Sequence, residues 1–159
     1  MDKKNIAELL SKTDYSEKAY DLFMQGLNCS QAVFVAFCDL IGIDEVTAKK
    51  LSVGLGGGVG RMREVCGAVS GAAMVLGYVF GGEDGTDKTQ AYKVIKRFGE
   101  MFKERNGSVV CRELRGLDKS LKEGYVPDER TEEYYKVRPC KSLVKDAAEM
   151  VIEILKDIE

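Results

Sequence analysis

Apolar residues recur at three- and four-residue steps along nearly the whole chain, and hardly any stretch alternates with period two. Ile6, Leu9 and Leu10 predict a short first helix. A second runs from about Ser16 to Gly26, with Ala19, Leu22 and Phe23 on its apolar face and Gly26 suited to its end. Asn28 reads as an N-cap with Gln31 as its capping-box partner, opening a helix from Cys29 to about Ile41. Ala32, Val33, Phe34, Val35, Ala36, Phe37 and Leu40 make that helix apolar nearly all round, which places it inside. Asp44 caps a further helix reaching about Ser52.

Residues Gly54 to Gly60 carry five glycines in seven positions and do not sustain a helix. A central helix resumes near Arg63 and ends at Gly81-Gly82. Its Gly67 and Gly71, and its Ala68 and Ala72, fall four apart and form flat stripes for close packing. Lys88 to about Arg105 shows Ala91, Val94, Ile95, Phe98, Met101 and Phe102 on one face, and Asn106-Gly107 ends it. Ser108 caps a short helix through about Leu114, and residues 116–137, polar and weakly periodic, read as a surface excursion. A last helix starts at about Cys140 and buries Leu143, Val144, Ala147, Val151, Ile154 and Leu155. The pattern predicts an all-α, single-domain bundle over residues 1–159, with six to seven helices around a buried Gly/Ala-rich central helix.

Composition narrows the function more than the fold. The 159 residues contain no histidine and no tryptophan, and the 24 Lys and Arg against 26 Asp and Glu leave a net charge of −2. A near-neutral chain gives no overall reason to hold nucleic acid. The missing imidazole removes Ser-His and Cys-His pairs and every His-ligated zinc or haem site. The first ten residues are charged at Asp2, Lys3, Lys4 and Glu8, unlike a secretory signal. Val65 to Gly82 runs 18 residues without charge, but six of them are glycine or serine, so a buried helix is expected rather than a membrane span. Five cysteines are too few for a disulfide scaffold, and their odd number argues against full pairing. The expected location is the cytoplasm, with reduced thiols.

The cysteines are the chemistry on offer. No CxxC occurs. Cys29 follows the Asn28 cap, Cys66 falls in the first turn of the central helix, Cys111 is three residues past Ser108, and Cys140 follows Pro139, a residue suited to a helix start. Four of five cysteines thus stand at predicted helix starts, where backbone N–H groups and the helix dipole favour thiolate. Arg61 and Arg63 precede Cys66, Arg112 follows Cys111, and Arg138 and Lys141 flank Cys140. Cys38 lies in an apolar segment and reads as packing. The glycine run lacks the Gly-Lys-Ser/Thr ending of a phosphate loop and no strand precedes it. Its expected role is to let the chain approach the core closely and deliver Cys66. Tyr134 and Tyr135 are candidates to cover the site from the excursion, though no spacing demands it.

Asn28-Cys29-Ser30-Gln31-Ala32, then Gly56 to Met62, then Cys66-Gly67-Ala68-Val69-Ser70-Gly71, followed by Cys111 and Cys140, come in an order that resembles the bacterial and archaeal C–GCAxxG–C–C four-cysteine family, which is described as redox-active. The resemblance covers about residues 25 to 155. The family label orders its central motif Gly-Cys-Ala, whereas this chain reads Cys66-Gly67-Ala68. The resemblance implies Cys29, Cys66, Cys111 and Cys140 as the functional set, with Cys38 outside it; it implies no substrate.

Three functions fit these residues. In the first, a thiol redox protein, cysteines shuttle between dithiol and disulfide, a thiol/disulfide oxidoreductase being one form. Cys66 is then the expected reactive thiol, with Arg63, Arg61, Gly67 and Gly71 supporting it. In the second, the same four cysteines ligate a metal ion or an iron–sulfur cluster. In the third, the cysteines only pack, within a helical interaction module whose small-residue stripes also suit a homodimer. The partner is a redox protein or small molecule, not nucleic acid or membrane.

Overall fold

The computed structural model describes residues 2–158. The fold is all-α: among the described residues there is no strand, and one isolated antiparallel bridge joins Val65 to Val110. The helices are α1 (Lys3–Lys12), α2 (Tyr15–Met24), α3 (Cys29–Ala36), α4 (Glu45–Ser52), a distorted turn α5 (Gly56–Val59), α6 (Gly67–Phe80), α7 (Lys88–Asn106), α8 (Cys111–Leu114), α9 (Glu132–Val137) and α10 (Cys140–Lys156). Among the described residues no helix is long and apolar enough to cross a membrane.

The core lies where the apolar stripes meet. The central α6 packs on α3, α7 and α10, while α10 packs on α2, α3, α6 and α7. The α10 stripe of Leu143, Val144, Ala147, Met150, Val151, Ile154 and Leu155 is buried in full, at the steps its sequence spells out. Phe98 and Phe102 of α7 stack with ring centres 6.0 Å apart, and Tyr15 of α2 stacks on Phe37 at 4.7 Å. Each such fully buried aromatic contributes roughly 1.5–3 kcal/mol. Cys38, 9% exposed, belongs to this core and lies apart from the other cysteines.

Asp2, Asp14, Asn28, Asp44, Asp87 and Thr131 cap α1, α2, α3, α4, α7 and α9 through side-chain oxygens. The Asn28–Gln31 capping box is complete.

Three expected boundaries move. The third helix ends at Ala36 rather than Ile41, because Phe37 N–H and Cys38 N–H bond three residues back and wind the chain into a turn. The central helix begins at Gly67 rather than near Arg63. Six of the seven residues 57–63 have positive φ, among them Val59, Arg61 and Arg63, so the segment coils left-handedly and cannot join a right-handed helix. Ser108 does not cap α8 directly: its hydroxyl accepts from Val110 N–H, and α8 starts at Cys111. The excursion at 116–137, largely exposed, also contains α9.

Candidate functional site

The left-handed segment is the first part of the site. Arg63 N–H donates to Gly57 O at 3.1 Å and Glu64 N–H to Gly58 O at 3.1 Å, closing a tight loop. Gly58 has φ +66°, and a Cβ there would meet Cys111 Cβ at 2.7 Å and Glu64 N at 2.8 Å, so only glycine fits. Val59, β-branched at φ +64°, holds real backbone strain. The chain beyond the loop runs beside the start of α8: Cys66 N–H donates to Val109 O at 2.8 Å and Cys111 N–H to Glu64 O at 2.6 Å. Two cysteines 45 residues apart in sequence are thereby placed together.

Small residues bring in the third cysteine. A Cβ at Gly67 would lie 3.1 Å from Cys29 Cβ, and one at Gly71 would lie 2.7 Å from Ser30 O. The start of α6 therefore rests directly on the start of α3. Ser30 Oγ donates to Ser52 O at 2.6 Å and lies 2.8 Å from Asn28 Oδ1, fixing that helix start from below. The head of α10 supplies the fourth, Cys140.

All four cysteines line one cavity of about 60 Å³. Cys66, Cys111 and Cys140 are buried, Cys29 is partly so, and all are free thiols. Cys29, Cys111 and Cys140 are the first residues of α3, α8 and α10, and Cys66 occupies the N-cap position of α6. Among the described residues no three Cys, Asp or Glu side chains are gathered closely enough to hold a metal ion.

Arginines supply the charge. Arg63, Arg115 and Arg138 line the same cavity. Arg63 is 3% exposed; its Nη1 lies 3.7 Å from Cys111 Sγ, while Nε and Nη2 pair with the Glu123 carboxylate, Nη2 at 2.8 Å. Burial alone would make Arg63 less basic, but Glu123 and the Cys111 sulfur outweigh it and hold its charge more firmly than usual. Arg61 turns away from the cavity to Glu123 at 3.2 Å and to Gly124 O at 2.9 Å. Arg138 pairs with Asp128 and lies 4.1 Å from the centre of the Tyr134 ring. Arg130 donates to Phe23 O and Leu27 O and stacks on Tyr134 at 4.6 Å, so the excursion is pinned back over the site.

These surroundings divide the thiols. A hydrogen bond from the Cys29 thiol is the largest influence lowering Cys140; Arg138, Arg115 and Arg130 add to it against burial, and the pKa falls from 9.0 to about 6. The same pairing, with burial, pushes Cys29 well above the usual thiol value. Of the two, Cys140 is the one drawn toward the thiolate, because three guanidinium groups act on it. Burial pushes Cys66 up to about 12, only partly offset by the N–H groups of Ala68 and Val69. The Arg63 guanidinium, expected beside Cys66, is instead carried by the left-handed backbone to Glu123 and Cys111.

Sequence reasoning missed Arg115, Arg130 and Glu123. Nothing local marks them, since Glu123 meets Arg63 across 60 residues and Arg130 meets Phe23 across 107. Tyr134 does line the cavity.

A helical bundle that closes four free cysteines around one arginine-lined cavity defines a class of all-α, four-cysteine proteins. The chain belongs to the family described as "Putative redox-active protein (C_GCAxxG_C_C)", whose model matches residues 27–154. No similar curated protein and no similar solved structure was found.

Proposed function

We propose that the protein is a thiol-based redox protein in which Cys140 is the nucleophile and Cys29 the resolving thiol. The observation that carries this is that Cys29 and Cys140 line one cavity beside Arg138 and Arg115, whose charges, with the Cys29 thiol, draw the Cys140 pKa down to about 6. The family's redox description supports the same chemistry.

With a small disulfide as oxidant, the Cys140 thiolate attacks one sulfur, forming a mixed disulfide and expelling a thiolate. That thiolate takes the Cys29 proton. Cys29 then attacks Cys140 Sγ, the Cys29–Cys140 disulfide forms, and a second thiolate leaves. Two protein thiols are oxidised and one external disulfide is reduced. Cys66 and Cys111 line the same cavity and are the thiols to which the new disulfide passes by exchange. Spreading the four sulfurs around a cavity, rather than closing them on one point, suits this use better than ligation of a metal or cluster.

The test is the pH dependence of reaction with a small neutral disulfide. Lowering a thiol pKa from 9.0 to about 6 raises the thiolate fraction at pH 7 about 90-fold but lowers intrinsic nucleophilicity about 20-fold, a net gain of only several-fold. At pH 5 the net gain grows to about 30-fold or more. Access to the cavity scales both rates alike, so the roughly tenfold growth of the advantage over an unstructured cysteine between pH 7 and pH 5 is the signature. Cys140→Ser should abolish it, and Cys29→Ser should stop at the mixed disulfide, both read by mass spectrometry. An advantage that does not change with pH would overturn the assignment.

A further inference from the structure

We propose that the cavity beside Cys140 binds a small oxyanion group, held by Arg115 and Arg138, and that the electrophile this protein accepts is therefore anionic, carrying a carboxylate or a group of like size and charge. The choice of substrate class rests on the redox reading of Cys140; the anion site itself does not.

Arg115 is the first observation. Its Nη1 is the buried side-chain nitrogen or oxygen without a hydrogen-bond partner among the described residues, and Arg115 lines the cavity. The other arginines around the site are each engaged: Arg61 and Arg63 with Glu123, Arg138 with Asp128, and Arg130 with two backbone carbonyls. A charged donor left unpaired and out of reach of water is costly, and no acceptor among the described residues meets it.

The balance of charge agrees. Five guanidinium groups meet the two carboxylates paired with them, Glu123 and Asp128. Three positive charges are uncompensated, two once a Cys140 thiolate is counted. In a partly closed, low-dielectric site that excess favours a further anion.

Helix starts add a third observation. α1, α2, α3, α4, α7 and α9 have Asp, Asn or Thr side chains on their first N–H groups, whereas α6 and α10, which carry Cys66 and Cys140, have no side-chain cap hydrogen bond. The start of α10 opens on the cavity, where an anion would complement it, whereas the first N–H groups of α6 face the Cys66 sulfur. The volume of about 60 Å³ admits a ligand of only a few heavy atoms.

Two alkylating reagents of equal size and opposite fit test this. Iodoacetate carries a carboxylate and iodoacetamide a neutral amide; with either, Cys140 Sγ bonds to the methylene carbon and iodide leaves with the electron pair of the C–I bond. The ratio of the two rates at Cys140 cancels the thiolate fraction. That ratio should exceed the ratio for an unstructured cysteine peptide by at least about tenfold, the scale of one charge-assisted hydrogen bond. Arg115→Gln should return it close to the peptide's, Arg115→Lys should keep part of it, and inorganic sulfate should protect the native protein but not Arg115→Gln. Fast reaction with both reagents at the peptide's ratio overturns the anion site and leaves the thiolate reading standing. Slow reaction with both sinks the thiolate reading instead, and calorimetry with inorganic sulfate then decides the anion site: binding in the native protein that is lost in Arg115→Gln upholds it, and no binding overturns it.

Discussion

The apolar bundle and the polar cap at its cysteine-bearing end are built by opposite means. In the bundle, Phe98, Val144, Val151 and Ile154 are buried at regular helical steps and nothing polar is needed to place them. In the cap, segments 53–66 and 108–138 have little regular structure, and they are held by ion pairs, backbone bridges and left-handed turns. The four cavity cysteines sit on the seam, Cys29, Cys66 and Cys140 at the starts of bundle helices α3, α6 and α10 and Cys111 at the start of the short cap helix α8. The bundle is thus expected to carry stability and the cap to shape the cysteine cavity, and the two should separate on mutation.

The largest effect is expected in the bundle. Phe98→Ala removes a fully buried ring that stacks on Phe102, costing about 3–5 kcal/mol. Urea unfolding should show that loss in one transition, with all five cysteines becoming reactive together. A protein that lost only the reactivity of Cys140 would show that the two regions are not separable in this way.

Close approaches at the seam come next. Gly58→Ala drives a methyl group to 2.7 Å from Cys111 Cβ at φ +66°, and Gly71→Ala drives one to 2.7 Å from Ser30 O. Each should cost about 1–3 kcal/mol by overpacking. Their consequences differ: Gly58→Ala displaces Cys111 and the Arg63 loop, whereas Gly71→Ala parts α3 from α6 and so separates Cys29 from the rest. Mapping which cysteine pairs oxidise in each variant distinguishes the two. Identical disulfide maps would show that the glycines do not set the sulfur positions.

A cap mutation should leave the bundle intact. Glu123→Gln weakens the clasp to Arg63 and Arg61 by about 1–3 kcal/mol, seen as faster proteolysis within 116–131 at an unchanged midpoint of thermal unfolding. The same clasp gives a pH dependence. The Arg63 guanidinium holds the Glu123 carboxyl below its ordinary value of 4.5. A depressed folded pKa stabilises fully above the unfolded value and is lost as pH falls through the folded one. Proteolysis of the excursion should therefore rise on acidification below about pH 4.5 in the native protein and change less in Glu123→Gln. Equal acid sensitivity in both would remove Glu123 as the clasp.

This division also explains what could be read in the amino-acid order. Helices α2, α4, α7 and α10 were legible because burial alone dictates their period, and Asn28, Asp44 and Pro139 marked the starts of α3, α4 and α10 locally. Cysteines at helix starts were legible for the same reason. The cap was not. Arg63 precedes Cys66 by three positions, which suggested that its charge serves that thiol; six left-handed residues carry it to Glu123 and Cys111 instead. Arg115 and Glu123 carry no periodic or motif signal, because their places depend on contacts across half the chain. In the cap a neighbour in sequence is a poor guide to a neighbour in space.

The smallest expected effect uses one helix as its own control. Gly77 lies on α6, six residues beyond Gly71, and a Cβ there meets nothing within 4 Å. Gly77→Ala should therefore change only helix propensity and stabilise the protein by about 0.5–1 kcal/mol, a small rise in the urea midpoint with no change in cysteine reactivity. The same substitution on the same helix then has opposite sign at positions 71 and 77, because one glycine admits a neighbouring backbone and the other admits nothing. A loss of stability at Gly77 would mean that the space beside it is filled in solution, as by a second copy of the chain packing along the α6 stripe, and a concentration-dependent sedimentation coefficient would identify that cause.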